Sequence, residues 1–144
     1  MADLSEPASD LEALIADLSP EVRPGRFVFV AADESVAGAP GEVGNDPWLA
    51  WVDEPEGASG VMREEHAIEL GLPFDTVWAW ITLGVHSDPS AVGLTAVISA
   101  ALADLGLSCN VIAGLRHDHL LVPYDRVGKA MEALRGFSAE SRED

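Results

Sequence analysis

The sequence predicts an α+β protein in which antiparallel strands are covered by helices, and the second half of the chain carries the clearest signals. Residues 76–86 read TVWAWITLGVH, where every second residue is apolar, as in a strand with one buried face. Apolar residues then recur at helical spacing from 94 to 105, before a glycine that suits a helix end. Two further apolar segments, 107–114 and 119–123, are separated by LRHD, which predicts a hairpin.

The N-terminal region predicts a short helix followed by a strand. In ASDLEALIADLSP, Ser9 can cap a helix that Pro20 ends. Residues 26–32, RFVFVAA, are rich in aromatic and β-branched side chains and predict a strand. The apolar face of the helix consists of Leu11, Leu14, Ile15 and Leu18.

Residues 33–73 predict two loops, one strand and one helix. The segments 33–47 and 54–60 are rich in glycine, proline and acidic residues, which is typical of loops. Between them, WLAWV at 48–52 predicts a strand. The segment 61–73 predicts a helix that Gly71 and Pro73 would end.

The second half is predicted to contain two helices. Asp88 is a suitable N-cap with Pro89 at the first helical position, so the first helix is expected to begin there. The second helix covers DRVGKAMEALRG at 125–136, with a buried stripe. The resulting order β-α-β-β-α is that of a ferredoxin-like βαββαβ unit that lacks its last strand in sequence. We expect strand 26–32 to complete the sheet, so that the two halves are interlocked. The stripe is formed by Val127, Ala130, Met131 and Leu134.

Composition and charge limit the partners of the protein. The 144 residues are 48% hydrophobic, enough for one domain or two very small ones sharing a core, and the net charge is −17. Such a charge disfavours nucleic acids and anionic membranes. Cys109 is the single cysteine, which excludes an internal disulfide and a cysteine-based zinc framework. The first residues lack a signal peptide pattern, and no apolar run approaches about 20 residues, so we expect a soluble cytoplasmic protein.

The segment VHSDPSAVGLTAVISAALADLGLSCNVIAGLRHDHLLVPYDRVGKAMEAL resembles the ACT domain, a small βαββαβ regulatory module. It is similar to tandem ACT proteins whose second repeat carries an AVGLTA helix start, an ISCNV-like strand and an HDH-VP strand. The resemblance implies two interlocked tandem ACT units. The first is a degenerate ACT-like unit at 1–73, and the second is an ACT domain at 74–137. A disordered tail is predicted at 138–144.

The resemblance also implies a binding site for a free amino acid or similar small metabolite, at the turn from first strand to first helix. Main-chain groups there would hold the ligand, and an acidic residue would hold its ammonium. Carried over to this chain, the site comprises His86 and Ser87 in the turn, Val92 and Gly93 at the helix start, and Asp118 on the third strand. The resemblance implies no catalytic residue, no cofactor, and assembly as a homodimer.

The physical chemistry of a helix N-terminus supports a binding site at this turn, independently of the resemblance. A helix N-terminus presents unpaired N–H groups and the positive end of the helix dipole, which suit a carboxylate. Gly93 lies in the expected first turn, where glycine costs about 1 kcal/mol relative to alanine. Close approach of a ligand or of a neighbouring backbone would explain its presence.

Two other functions remain alternatives. A ligand-free protein-interaction module of the same fold would need no binding site for a small molecule. A small metal- or thiol-dependent enzyme would use Cys109, His117 and His119. On a strand the two histidines face one side and Asp118 the other, so a zinc ion would need a third ligand from Cys109, His86 or His66. We favour the non-catalytic ligand-binding protein, because Cys109 lies in an apolar strand where a thiol behaves as a small hydrophobe.

Overall fold

The computed structural model describes residues 10–32 and 47–143, and these form an α+β fold with one antiparallel sheet and helices. The strands are hydrogen-bonded in the order β2-β3-β1-β4-β6-β5. None of the helices in this part of the chain combines the length and apolarity that a membrane span needs. In chain order the elements are α1 (Leu11–Ala16), β1 (Pro20–Ala31), β2 (Trp48–Glu54), β3 (Gly57–Arg63), α2 (Glu64–Leu70), β4 (Trp78–Leu83), α3 (Leu94–Asp104), β5 (Asn110–Ala113), β6 (Asp118–Pro123), a 3-10 turn (Tyr124–Arg126) and α4 (Val127–Glu143).

The chain divides into two compact units, and one of them is built from two separate segments of the sequence. The central unit comprises residues 25–78, and the C-terminal unit comprises residues up to 24 together with residues from 79 onward. The N-terminal segment, with α1 and the start of β1, therefore belongs to the same unit as the second half of the chain. This arrangement confirms the prediction of interlocked repeats.

In the central unit, β3 pairs with β1 on one side and with β2 on the other, both antiparallel. The sequence predicted a loop over 54–60, and that prediction is wrong for most of the segment. The turn is confined to Pro55 and Glu56, and β3 begins at Gly57. Residues 61–63 belong to β3 as well, so the predicted helix 61–73 is reduced to α2, which Gly71 ends in a left-handed conformation as expected.

Gly60 shows why β3 carries small residues. A Cβ atom at this position would lie 2.2 Å from the carbonyl oxygen of Ala50 and 2.7 Å from the ring of Trp48. The strand is therefore held close to its neighbour by the absence of a side chain. The buried residues of this unit are Val28, Val30, Trp48, Met62, Ala67 and Leu72.

The C-terminal unit has one core that joins both ends of the chain. Its α1 packs against α3 and α4, and the Ser138 hydroxyl donates a hydrogen bond of 3.4 Å to the carbonyl of Ile15. Leu14 and Leu18 are fully buried in this core, as the predicted apolar face of the first helix requires. The other buried members are Ala79, Ile81, Leu83, Leu94, Ile98, Leu102, Leu107, Leu120, Val122, Ala130, Met131 and Leu134.

Several element boundaries differ from the prediction. Asp10 caps α1 by accepting a hydrogen bond of 3.0 Å from the amide of Glu12, whereas Ser9 lies outside the described residues. β1 begins at Pro20, six residues before the predicted strand, and its first residues, 20–24, belong to the C-terminal unit. α4 continues through the segment 138–143, where a disordered tail was predicted. The predicted loop 33–47 lies outside the described residues except for its last residue.

Candidate functional site

A cleft of about 230 Å³ lies in the C-terminal unit, where the chain passes from β4 into α3. The end of β5 and the start of β6 form its other wall. This volume is below the range of roughly 300–1,000 Å³ that is typical of sites for drug-sized ligands. The cleft therefore suits a small metabolite. The lining residues are Ser87, Asp88, Pro89, Ala91, Gly93, Leu94, Thr95, Ala113, Gly114 and Asp118.

Asp88 organises the turn that leads to the helix. Its Oδ1 accepts hydrogen bonds from the amide of Ser90 at 2.8 Å and from the hydroxyl of Ser90 at 2.7 Å, and its carbonyl accepts one from Ala91 at 2.8 Å. The hydrogen bond from the Ser90 amide, followed by that from the Ser90 hydroxyl, lowers the pKa of Asp88. The prediction that Asp88 and Pro89 begin the helix is therefore wrong, since the cap signal belongs to a separate turn.

α3 begins at Leu94 with Gly93 as its N-cap, and no side chain caps this helix. The first backbone bond of the helix is donated by Val97 to the carbonyl of Gly93, at 3.0 Å. The amides of the first turn have no acceptor within the helix, and they carry the positive end of its dipole. The helix therefore presents hydrogen-bond donors where Leu94 and Thr95 line the cleft.

The presence of glycine at position 93 has a packing explanation. Its φ of +103° lies in the left-handed region, and a Cβ atom there would lie 3.1 Å from Leu11 Cδ2 of α1. The expectation that a ligand or a neighbouring backbone approaches this glycine closely is thus replaced by contact with a side chain of α1.

Asp118 supplies the acidic wall of the cleft. It is the first residue of β6 and pairs with Ala113 of β5, which also lines the cleft. Burial raises the pKa of its carboxyl, and the neighbouring His119 and His117 offset part of this effect. A partly buried carboxylate near a helix N-terminus provides the two opposite charges that a zwitterion needs.

His119 lies on the other face of the sheet from Asp118. Its Nδ1 is 3.2 Å from Trp80 Nε1 and 3.0 Å from Thr82 Oγ1, and the guanidinium of Arg23 stands 5.1 Å from the centre of the Trp80 ring. The indole N–H can only donate, so Nδ1 of His119 is an acceptor and the ring is neutral. Burial, followed by the charge of His117, lowers the pKa of His119.

His117 precedes β6 and holds the hairpin to the segment after β4. Its Nδ1 donates a hydrogen bond of 3.2 Å to the carbonyl of Val85. Its ring centre lies 6.1 Å from that of His86. The hydrogen bonds that His117 and His119 make therefore account for both side chains without a metal ion.

Three of the five residues implied by the resemblance meet in the cleft, namely Ser87, Gly93 and Asp118. His86 and Val92 do not line it, and the Val92 side chain is 83% exposed. Asp88 lines the cleft as well, although its pattern with Pro89 suggested only a helix cap. The sequence did contain a signal that Asp88 could line the cleft, because it is an acidic residue next to the turn that was predicted to bind a ligand.

The thiol and metal alternatives find no assembled site in the described residues. Cys109 packs against the core of the C-terminal unit, on the side of β5 and β6 that holds Leu120, whereas His119 faces the other side. Burial raises the pKa of the Cys109 thiol, which disfavours the reactive thiolate. Among residues 10–32 and 47–143, no three His, Cys, Asp or Glu side chains come together in a way that could hold a metal ion.

Comparison with protein families identifies the class of protein. One ACT domain family matches residues 7–79, and a second ACT domain family matches residues 76–136. The chain therefore belongs to the ACT domain family, whose members are typically regulatory ligand-binding modules. No curated protein matches this chain.

Solved structures share the fold. A protein of unknown function from Vibrio cholerae, a possible transport protein, is 40% identical, with a TM-score of 0.75 over 89% of this chain and 95% of its own. A protein from Agrobacterium tumefaciens is 15% identical, with a TM-score of 0.66 over 83% of this chain and 88% of its own. One chain in the crystal structure of aspartokinase alpha and beta subunits is 13% identical, with a TM-score of 0.56 over 83% of this chain and 96% of that chain. The latter two show the fold alone.

Proposed function

We propose that this protein is a non-catalytic regulatory protein that binds a free amino acid in the cleft between the start of α3 and Asp118. One observation carries the proposal. The uncapped N-terminus of an 11-residue helix and a partly buried carboxylate line the same small cleft. These two groups match the two charges of an amino acid.

The α-carboxylate of the ligand would accept hydrogen bonds from the amides at the start of α3. Gly93, Leu94 and Thr95 line the cleft at this point, and the dipole of the helix favours a negative charge there. We retain His86 and Val92 in the proposed site for their main-chain groups, because they adjoin Ser87 and Gly93.

The ammonium of the ligand would pair with the Asp118 carboxylate. Because burial raises the pKa of this carboxyl, its ionised form is disfavoured in the empty protein, and a bound ammonium would stabilise that form. Binding requires the ionised form. The affinity should therefore be constant at neutral pH and should fall as the pH is lowered through the pKa of Asp118. The fall should begin at a higher pH than for an ordinary aspartate.

A thermal-shift screen of the twenty amino acids, followed by calorimetry, tests the proposal. A ligand at about one hundred times its Kd adds about 2.7 kcal/mol to the free energy of unfolding. That corresponds to a rise in Tm of roughly 5–20 °C, at about 2–8 °C for each kcal/mol. Asp118→Asn should abolish the shift, whereas the matched variant Asp125→Asn, which alters an exposed acid outside the cleft, should retain it.

Two results would contradict the proposal. If no amino acid shifts Tm, the protein is better described as a ligand-free interaction module of the ACT fold. If a shift survives in Asp118→Asn, the ligand binds elsewhere. Circular dichroism of both variants establishes that they are folded, so that a lost response reports on binding.

Assembly as a homodimer is part of the same proposal. β2 and β5 lie at the two ends of the strand order, and an edge strand offers unpaired N–H and C=O groups to a second chain. Light scattering coupled to size-exclusion chromatography should give twice the mass of 15.2 kDa. A monomer over the micromolar range would contradict this part.

A further inference from the structure

We propose that the central unit carries a second binding site, formed by two aromatic rings and a carboxylate, for an alkylated ammonium group. The site is a cavity of about 250 Å³. Its lining residues belong to the unit of residues 25–78, and none of them lines the cleft at the start of α3. The inference is therefore independent of the function proposed above. The lining residues are Phe29, Asp75, Thr76 and Trp78.

The two aromatic rings form a right-angled corner. The centres of the Phe29 and Trp78 rings lie 5.8 Å apart, and the ring planes are inclined at 89° to each other. The face of an aromatic ring is the negative part of its quadrupole, which attracts a cation. Because both rings line one cavity, a cation inside it can lie against both. Aromatic walls of this kind recognise alkylated ammonium ions, whose methyl groups pack against the rings.

Phe29 is accessible to such a ligand. Its side chain is 41% exposed, whereas Phe27, on the same face of β1, is fully buried. The guanidinium of Arg63 stands 5.1 Å from the centre of the Phe27 ring. In the part of the chain that the structure describes, no arginine or lysine stands over Phe29 or Trp78 in this way. The protein thus supplies the cation for Phe27 itself, while the corner at Phe29 is open to one from outside.

Asp75 gives the corner a full negative charge. It precedes β4, whose first residue is Trp78, and it lines the cavity beside the rings. A carboxylate next to an aromatic face attracts a cation directly and repels an anion. The net charge of −17 on the chain raises the local concentration of cations as well. The Thr76 hydroxyl, also in the lining, can hydrogen-bond a hydroxyl of the ligand.

The size of the cavity restricts the ligand to a small group. Its volume is below the range of roughly 300–1,000 Å³ that drug-sized ligands occupy. A trimethylammonium group combines this small size with a charge and an apolar surface. Such a group can belong to a free metabolite of the choline type or to a methylated lysine side chain, and the experiment below distinguishes the two sources.

Choline and 3,3-dimethyl-1-butanol form a matched pair that tests the inference, because the alcohol replaces the charged nitrogen by carbon and keeps the shape. Binding to the full chain is followed by NMR titration of the Trp78 indole N–H. Choline should bind about fivefold more tightly than the alcohol, the ratio that corresponds to a cation–π contact of about 1 kcal/mol. The acetylated amide of trimethyllysine is titrated in the same way, and the cation that binds more tightly identifies the source of the ammonium group.

Two variants assign the binding to the corner. Phe29→Leu removes one aromatic face and Asp75→Asn removes the carboxylate, so each should weaken choline binding by a few-fold. Asp53→Asn, which alters an exposed acid of β2 outside the cavity, should bind choline like the unaltered protein. Circular dichroism establishes that the three variants are folded.

Three results would overturn the inference. The first is a neutral alcohol that binds as tightly as choline, or a Trp78 signal that no cation shifts at millimolar concentrations. The second is choline binding that is unchanged in folded Phe29→Leu and Asp75→Asn. The third is the absence of choline binding together with a halved mass of Phe29→Leu in light scattering, which would make the corner a contact between two copies of the chain. Should a variant not fold, choline and the alcohol measured on the unaltered protein still decide the ligand class.

Discussion

Neighbouring residues of β6 lie in different surroundings because successive side chains of a strand point to opposite faces. Asp118 lines the cleft, and His119 accepts hydrogen bonds from Trp80 and Thr82 on the other face. The alternation was predictable from the sequence His117-Asp118-His119. The partners of His119 were not, because they come from β4, which is more than 30 residues earlier.

At the scale of single residues, we expect His119 to be neutral with its proton on Nε2. Removing the Thr82 hydroxyl with Thr82→Val should raise the pKa of His119, because a donor to Nδ1 stabilises the neutral ring. Nitrogen-detected NMR titration of the histidines measures both the tautomer and the pKa. Thr76→Val, which alters an exposed threonine of the central unit, serves as the control.

The lowered pKa of His119 has a definite sign for stability. Between the folded value and the ordinary value of 6.5, the unfolded chain binds more protons than the folded chain. The free energy of unfolding therefore decreases as the pH falls below about 6.5. A pKa of His119 above 6.5, or a proton on Nδ1, would contradict this interpretation.

At the scale of elements, the periodicity of apolar residues identified the strands and helices that have one buried face. Predictions from local residue patterns were wrong where one pattern is compatible with two structures. β4 was predicted correctly because its apolar residues alternate. β3 was missed because the sequence GASG has no apolar alternation, and pairing with strands on both sides determines its structure. The start of α3 was misplaced because Asp88 and Pro89 form a turn that resembles a helix cap.

Gly93 and Gly128 provide a matched test of how α3 begins. Gly93→Ala should destabilise the protein by about 1–3 kcal/mol, because φ is +103° and the added Cβ would meet Leu11. Gly128→Ala, in α4 with nothing within 4 Å of the added Cβ, should stabilise it by about 0.5–1 kcal/mol. Urea unfolding measures both, and a stabilising Gly93→Ala would refute the assigned N-cap geometry.

At the scale of the whole molecule, the N-terminal segment belongs to the C-terminal unit, and this determines which part of the chain its core residues stabilise. Leu14 and Leu18 lie at least 60 residues before β4, yet they are buried with the residues of β4, α3 and α4. The ACT resemblance and the missing last strand together indicated such interlocking. The sequence did not reveal that α1 would also cross into the C-terminal unit, since a short amphipathic helix can pack in either.

Leu14→Ala should therefore destabilise the C-terminal unit, although the residue lies near the start of the chain. The side chain is fully buried, and the expected loss is about 2–5 kcal/mol. Leu115→Ala, at a leucine that is 69% exposed, should change the free energy of unfolding by less than about 0.5 kcal/mol. Amide hydrogen exchange should show the loss of protection in β6 and α4, and a loss confined to residues 25–78 would contradict the assignment of α1.

The shared core of α1 and α4 also sets an order of events during synthesis. The residues of α1 leave the ribosome well before Ala130, Met131 and Leu134, which belong to the same core. Leu14 and Leu18 therefore remain without these apolar partners until α4 has been made. Folding of the C-terminal unit is consequently delayed until α4 has been translated, and a nascent chain that stops before α4 exposes leucines that favour aggregation.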